Sequence, residues 1–78
     1  MTREQNRVLC DNLVHNLIVL RKRHGLSQRA MAGILGISVR SLRVLEQGER
    51  LPNVDIRFLD RARRYFGVPL ETLFHTRL

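Results

Sequence analysis

Residues 28–47, QRAMAGILGISVRSLRVLEQ, read as two short helices joined by a tight turn at Gly36. Ala32 falls in the middle of the first helix. Met31 and Leu35 precede the turn, and Ile37, Leu42 and Leu45 follow it. A small residue permits close approach, a glycine takes φ > 0 and apolar residues line the inside, as when two helices pack at a steep angle. The flanks agree. Ser27 is an N-cap for the first helix, Gln28 to about Leu35, with Leu26 placed to staple onto it. Ser38 caps the second, which runs to Glu46 or Gln47 before Gly48 stops it. Gly33 costs ~1 kcal/mol relative to Ala inside a helix, and nothing in the sequence accounts for it. It serves close packing or is simply tolerated.

Upstream, Thr2 to His24 contains no Gly or Pro, and Leu9, Leu13, Leu17 and Leu20 recur at helical spacing with Cys10 beside them. This predicts a long first helix, or an ordered helix capped by Asp11 with residues 1–10 as an arm or extension. Arg21, Lys22, Arg23 and His24 suit the negative end of its dipole, and Gly25 terminates it. Val14, Ile18 and Val19 lie off the stripe and read as surface apolar residues or as a subunit contact. Downstream, Gly48 to Pro52 is a loop, and Asn53 or Asp55 caps a fourth helix reaching Phe66 and Gly67. Its core stripe is Ile56, Leu59, Ala62 and Phe66, with Phe58 and Tyr65 on a flank. Arg57, Arg61, Arg63 and Arg64 read as a solvated face from which one or two side chains reach phosphate. Pro69 suits the first turn of a short fifth helix to Phe74 or beyond, and residues 75–78 read as a frayed tail. With no strand-like alternation, the fold class is all-α, a compact bundle of four or five helices in a single domain over residues 1–78.

At 78 residues with a 44% hydrophobic fraction and no Trp, the chain must build an aliphatic core near the lower size limit for a single domain. One cysteine permits neither an internal disulfide nor a thiolate metal cluster, so a reducing cytoplasm is the expectation. The sequence shows no signal peptide and no membrane span. The formal charge is +7, and every basic residue except Lys22 is arginine. Guanidinium groups bind phosphate through paired hydrogen bonds and read guanine edges, which points towards nucleic acid. The basic residues are spread over several short elements, unlike those of a membrane-surface helix.

GLSQ, Ala32, Gly36-Ile37-Ser38, Leu42, Glu46, Gly48 and Pro52 together resemble the Cro/phage-repressor type of helix-turn-helix, also called the xenobiotic-response-element family of bacterial and phage transcription regulators. The resemblance spans roughly Leu13 to Phe74. It implies a lambda-repressor-like bundle whose helices two and three form the helix-turn-helix. It also implies that Gln28 contacts the DNA backbone and braces the reading helix, and that Val39, Arg40, Arg43 and Val44 face base edges, with Ser41 between them. The sequence departs from the family at Gly33 and Ile34, where polar helix formers are usual, and at Pro69, where a Ser cap is common. The stretch from Pro52 to Gly67 is about two residues longer than usual. The surface near Ile34 is therefore open to a reading as a partner contact.

The third helix is expected in the major groove with its N-terminal half against the bases. Arg40 is the leading candidate for direct readout, through two hydrogen bonds to guanine O6 and N7. Val39 and Val44 offer methyl groups to thymine, although Val44 also reads as packing against the fourth helix. Arg43 reaches a base or a phosphate. Gln28, Arg29, Ser38, Ser41 and Arg50 read as phosphate or positioning contacts, with helix N-terminal amides as further donors. Glu46 would repel DNA and is expected to pair with a basic side chain, Arg21 being one candidate, so its role is structural.

Catalysis and cofactors find no support. His15, His24 and His75 lack ligand spacing, Ser27, Ser38 and Ser41 are explained as caps, and no phosphate-binding or dinucleotide motif occurs. The reading is a regulator of transcription, a repressor by default, that binds double-stranded DNA sequence-specifically as a homodimer. One short helix covers only a few base pairs, and a second copy doubles the site. Leu70, Leu73, Phe74 and Leu78 are the first candidates for the dimer contact, and Val14 with Ile18 the second. The alternative is a protein-interaction module, an antitoxin or adaptor, built on the same fold. An RNA-binding role lacks exposed aromatics for stacking.

Overall fold

Leu13, Leu17 and Leu20 fall on one side of a helix, and burying that side requires partners from the rest of the chain. The computed structural model describes residues 3–48 and 57–78, with side chains from residue 11 onward within those spans. The described residues form five helices and no strand: α1 (Arg3–Arg23), α2 (Gln28–Leu35), α3 (Val39–Glu46), α4 (Arg57–Phe66) and α5 (Leu70–His75). The first helix continues through Asp11 without a break. Leu9, Cys10, Arg50 and the Asn53, Asp55 and Ile56 positions lie outside the residues or side chains described.

The core draws on all five helices. Leu13, Leu17 and Leu20 meet Met31, Ala32 and Leu35, then Leu42 and Leu45, Phe58, Leu59 and Ala62, and Leu73. Helix α1 packs on α3 and α5, while α2 packs on α3 and α4. Ala32 is buried at the centre, where a larger side chain would push the helices apart. Phe58, expected on a flank, is buried, whereas Phe66, expected in the core, is half-buried. Phe66 packs its ring edge-on against His24 and Tyr65, each with centroids 4.9 Å away. Val14 is half-buried against the core. Pro69 occupies the N-cap position of α5, one residue earlier than expected, and supplies no side-chain cap.

Asn16 shares the buried stripe of α1 and has no exposed surface. Its Nδ2 donates to the carbonyls of Leu73 at 2.7 Å and Thr76 at 2.6 Å, with Thr72 at 3.4 Å, and its Oδ1 accepts from the Leu78 amide at 2.8 Å. Asn12 adds a bond to the Phe74 carbonyl. A single amide thus satisfies the end of α5 and ties down residues 76–78, where the sequence suggests fraying. Leu78 packs on the core as a result. Leaving these buried groups unpaired costs ~1–3 kcal/mol each.

Gly33 is exposed, and a Cβ added there would meet nothing within 4 Å. Close packing inside the chain therefore does not explain it. Two substitutions follow with opposite signs. Asn16→Asp keeps the volume but sets an oxygen against the carbonyls of α5, and should lower unfolding free energy by ~3 kcal/mol or more. Gly33→Ala should raise it by ~0.5–1 kcal/mol. Urea denaturation of both variants measures this; a neutral Asn16→Asp would remove Asn16 from its place as the clamp on α5.

Candidate nucleic-acid interface

The angle between α2 and α3 is set by backbone bonds around Gly36. Gly36 takes φ 71°, its amide donates to the Gly33 carbonyl at 3.3 Å, and the Ile37 amide reaches back to Ala32 at 3.0 Å. This double closure ends α2 and requires a left-handed residue at the turn. A Cβ on Gly36 would also stand 2.9 Å from Arg61 Nε, because Arg61 of α4 lies across the turn. Each helix of the pair is capped by the serine before it. Ser27 Oγ accepts from the Ala30 amide and Ser38 Oγ from the Ser41 amide.

The hydroxyl of the cap Ser38 donates to Ser41 Oγ of α3 at 2.9 Å. The amides of Gln28, Arg29, Val39 and Arg40 have no acceptor among the described residues, as the first amides of any helix lack one inside it. These donors, with exposed Arg29 beside them, suit an anion.

Helix α3 turns Leu42 and Leu45 inward and Arg40 and Arg43 outward, with Ser41 and Val44 half-buried. Arg40 makes no hydrogen bond or ion pair among the described residues. Arg43 is held: its Nε donates to Gln28 Oε1 at 3.3 Å. Val39, expected as a base reader, is half-buried and packs partly against the core, so part of its methyl surface is already used.

The far end of α3 is anchored to α1. Arg21 Nε donates to Glu46 Oε2 at 2.9 Å and its Nη2 to Oε1 at 3.0 Å, with both side chains mostly buried. Arg21 Nη1 also holds the Leu26 carbonyl at 3.1 Å. Glu46 Oε1 further accepts from Gln28 Nε2 at 3.3 Å. One relay therefore runs from Arg21 through Glu46 and Gln28 to Arg43, linking the last turn of α1, the start of α2 and the C-terminal half of α3. The carboxylate that would repel DNA is neutralised from behind. Gln28 uses both ends of its amide in bracing α3.

A family model for a helix-turn-helix domain matches residues 16–77. The chain belongs to this helix-turn-helix family. The match takes in α2, the Gly36 turn and α3, and is consistent with a Cro/phage-repressor type of domain. Comparison with curated proteins and with solved structures finds no match. A helix-turn-helix is the fold of DNA-binding regulators and is typically non-enzymatic. Among the described residues no group of His, Cys, Asp or Glu is arranged to hold a metal ion, and no helix is long and apolar enough to cross a membrane.

Among the first-choice dimer residues, Leu73 is fully buried in the chain's own core, which corrects its assignment to an intermolecular contact. Phe74 and Leu78 are half-buried against that core, and Leu70 is exposed. Sequence reasoning missed Asn16 as a clamp on α5; a polar residue on an otherwise apolar stripe was its signal. Glu46→Ala should lower stability by ~2–3 kcal/mol, since it strands the Arg21 guanidinium. A double-mutant cycle with Arg21→Ala should return a coupling of ~2 kcal/mol, and additive losses would show that the two side chains stabilise α3 independently.

Proposed function

We propose that this helix-turn-helix domain binds duplex DNA sequence-specifically, with α3 in the major groove, and represses transcription by occupying its site. The observation that carries this reading is the contrast along α3. Its Glu46 end is locked to α1, while its N-terminal end presents Arg40 unengaged beside free amides and the Ser38–Ser41 pair. A rigidly held helix with one uncommitted guanidinium is suited to reading a guanine edge. Arg40 is the principal base reader, with Val44 and the remaining exposed part of Val39 against thymine methyls. Arg43, steadied by Gln28, reaches the next base or a phosphate.

Arg29, Ser38, Ser41, Gln28 and Arg50 take the positioning role against the backbone, and the net charge of +7 supplies the electrostatic attraction. Two copies on a palindrome about one helical turn apart extend the site beyond what one α3 can read. Leu70, with the exposed edges of Phe74 and Leu78, is the contact proposed between them.

Selection of preferred duplexes from a random pool tests the whole reading, since a palindromic motif would report DNA reading and two-fold symmetry together. On the selected duplex, Arg40→Ala should lose ~1–3 kcal/mol of preference at one base pair with an unchanged melting midpoint. Full retention of sequence preference by that variant would overturn the assignment of the reader. Sedimentation equilibrium should find two chains per duplex, and a single chain on the selected site would remove the homodimer.

A further inference from the structure

The hydrogen-bond chain behind α3 has a direction. Glu46 is an acceptor only, and both of its oxygens already face the Arg21 guanidinium, so whatever else it meets must donate. Gln28 meets it with Nε2, 3.3 Å from Glu46 Oε1. An amide carries its oxygen opposite its nitrogen, and Gln28 Oε1 is therefore turned to Arg43, accepting from Nε at 3.3 Å. Because the Arg21–Glu46 pair is mostly buried, the origin of the chain is fixed and the orientation of the Gln28 amide follows from it.

Among the described residues the Arg43 guanidinium is engaged at Nε alone. Its partner is a neutral amide, so its charge stays uncompensated, and Nη1 and Nη2 are left at the outer end of the fork. Two such N–H groups meet guanine O6 and N7 in parallel. A phosphate presents oxygens at several angles, so holding the guanidinium at one angle matters most against a base edge, which lies in a single plane. Arg40 and Arg43 are both exposed and stand three positions apart on one face of α3. That spacing advances about 4.5 Å along a helix, close to the ~3.4 Å between neighbouring base pairs.

We infer that Arg43 is a second guanine reader, aimed by Gln28, and that the DNA site carries guanines on neighbouring base pairs, one under Arg40 and one under Arg43. The inference rests on the placement of α3 in the major groove proposed above. Gln28 is a positioning residue in it: the side chain touches Arg43, and through Arg43 it fixes a base. Arg40 reaches its own base without such a brace.

Two measurements test this. In the free chain, the Arg43 Nε–H resonance should shift on Gln28→Met, which keeps the length of the side chain and removes both amide bonds. On the duplex selected from a random pool, binding is then compared with sequences changed at one base pair at a time. The parent should prefer guanine at two neighbouring pairs by about tenfold each. Arg43→Ala should erase the preference at one pair and keep it at the other. Gln28→Met should cut that same preference to about threefold or less, and combining it with Arg43→Ala should add nothing to the loss from Arg43→Ala alone. A ratio of affinities for two duplexes does not depend on the folded fraction, so a change in stability cannot imitate these results.

A motif with guanine under Arg40 alone would overturn the inference and leave the reading of α3 standing, whereas a pool that yields no motif would overturn both. Equal weakening of every duplex by Arg43→Ala or by Gln28→Met would make that residue a backbone contact and reject the inference. An Arg43 Nε–H resonance unmoved by Gln28→Met would reject it without DNA.

Discussion

The bidentate pair between Arg21 and Glu46 is the contact on which the presentation of α3 depends. An eight-residue helix buries only Leu42 and Leu45 and is too short to be stable alone. Apolar contact fixes which side faces in but leaves rotation and tilt soft. Two parallel hydrogen bonds from a planar guanidinium remove that freedom at the C-terminal end. Both groups are mostly buried, so the pair is costly to break singly even though its net contribution against an apolar replacement is small. Its value lies in geometry: the outward residues of α3 inherit a fixed position from α1.

The same helix carries a second polar clamp. Asn16, one and a half turns before Arg21, closes the end of α5 as Arg21 closes the end of α3. Both clamps work across long sequence separations, 62 residues in the bond from the Leu78 amide and 25 in those between Arg21 and Glu46. Helix α1 is thus a platform with an apolar stripe for collapse and two polar positions for register. A domain of this size has little apolar area to spare, and directional bonds at two points specify one packing among several that would bury similar surface.

The charge distribution follows the same division. Arg21 is turned inward and neutralised, Asp60 is absorbed by Arg63 and Arg64, and Arg40 faces solvent uncommitted. Uncommitted positive charge is therefore presented on the N-terminal half of α3, on the outer side of the turn that Gly36 makes. Arg61 of α4 lies across that turn and belongs structurally to it.

Much of the fold was legible locally. The helices α2 and α3, their serine caps, the Gly36 turn and the buried positions Leu13, Leu17, Leu20, Met31, Ala32, Leu35, Leu42, Leu45, Leu59 and Ala62 follow from spacing and cap chemistry, which act within a turn or two of chain. The Arg21–Glu46 pair was reached by asking where a carboxylate could be neutralised. The structure alone decided what depends on distant neighbours. It put Leu73 and Phe58 inside, Phe66 at the edge beside His24, and Leu78 against the core. It also left Gly33 in the open and tied Gln28 to Arg43. Helical periodicity identifies an apolar face but not what will cover it, and a polar residue's partner is chosen only when the helices meet. The sequence by itself determined that two helices would join at Gly36 with arginines on the outer one. Tertiary packing decided which arginine is free and which is held, because that depends on acceptors brought in from α1 and α2.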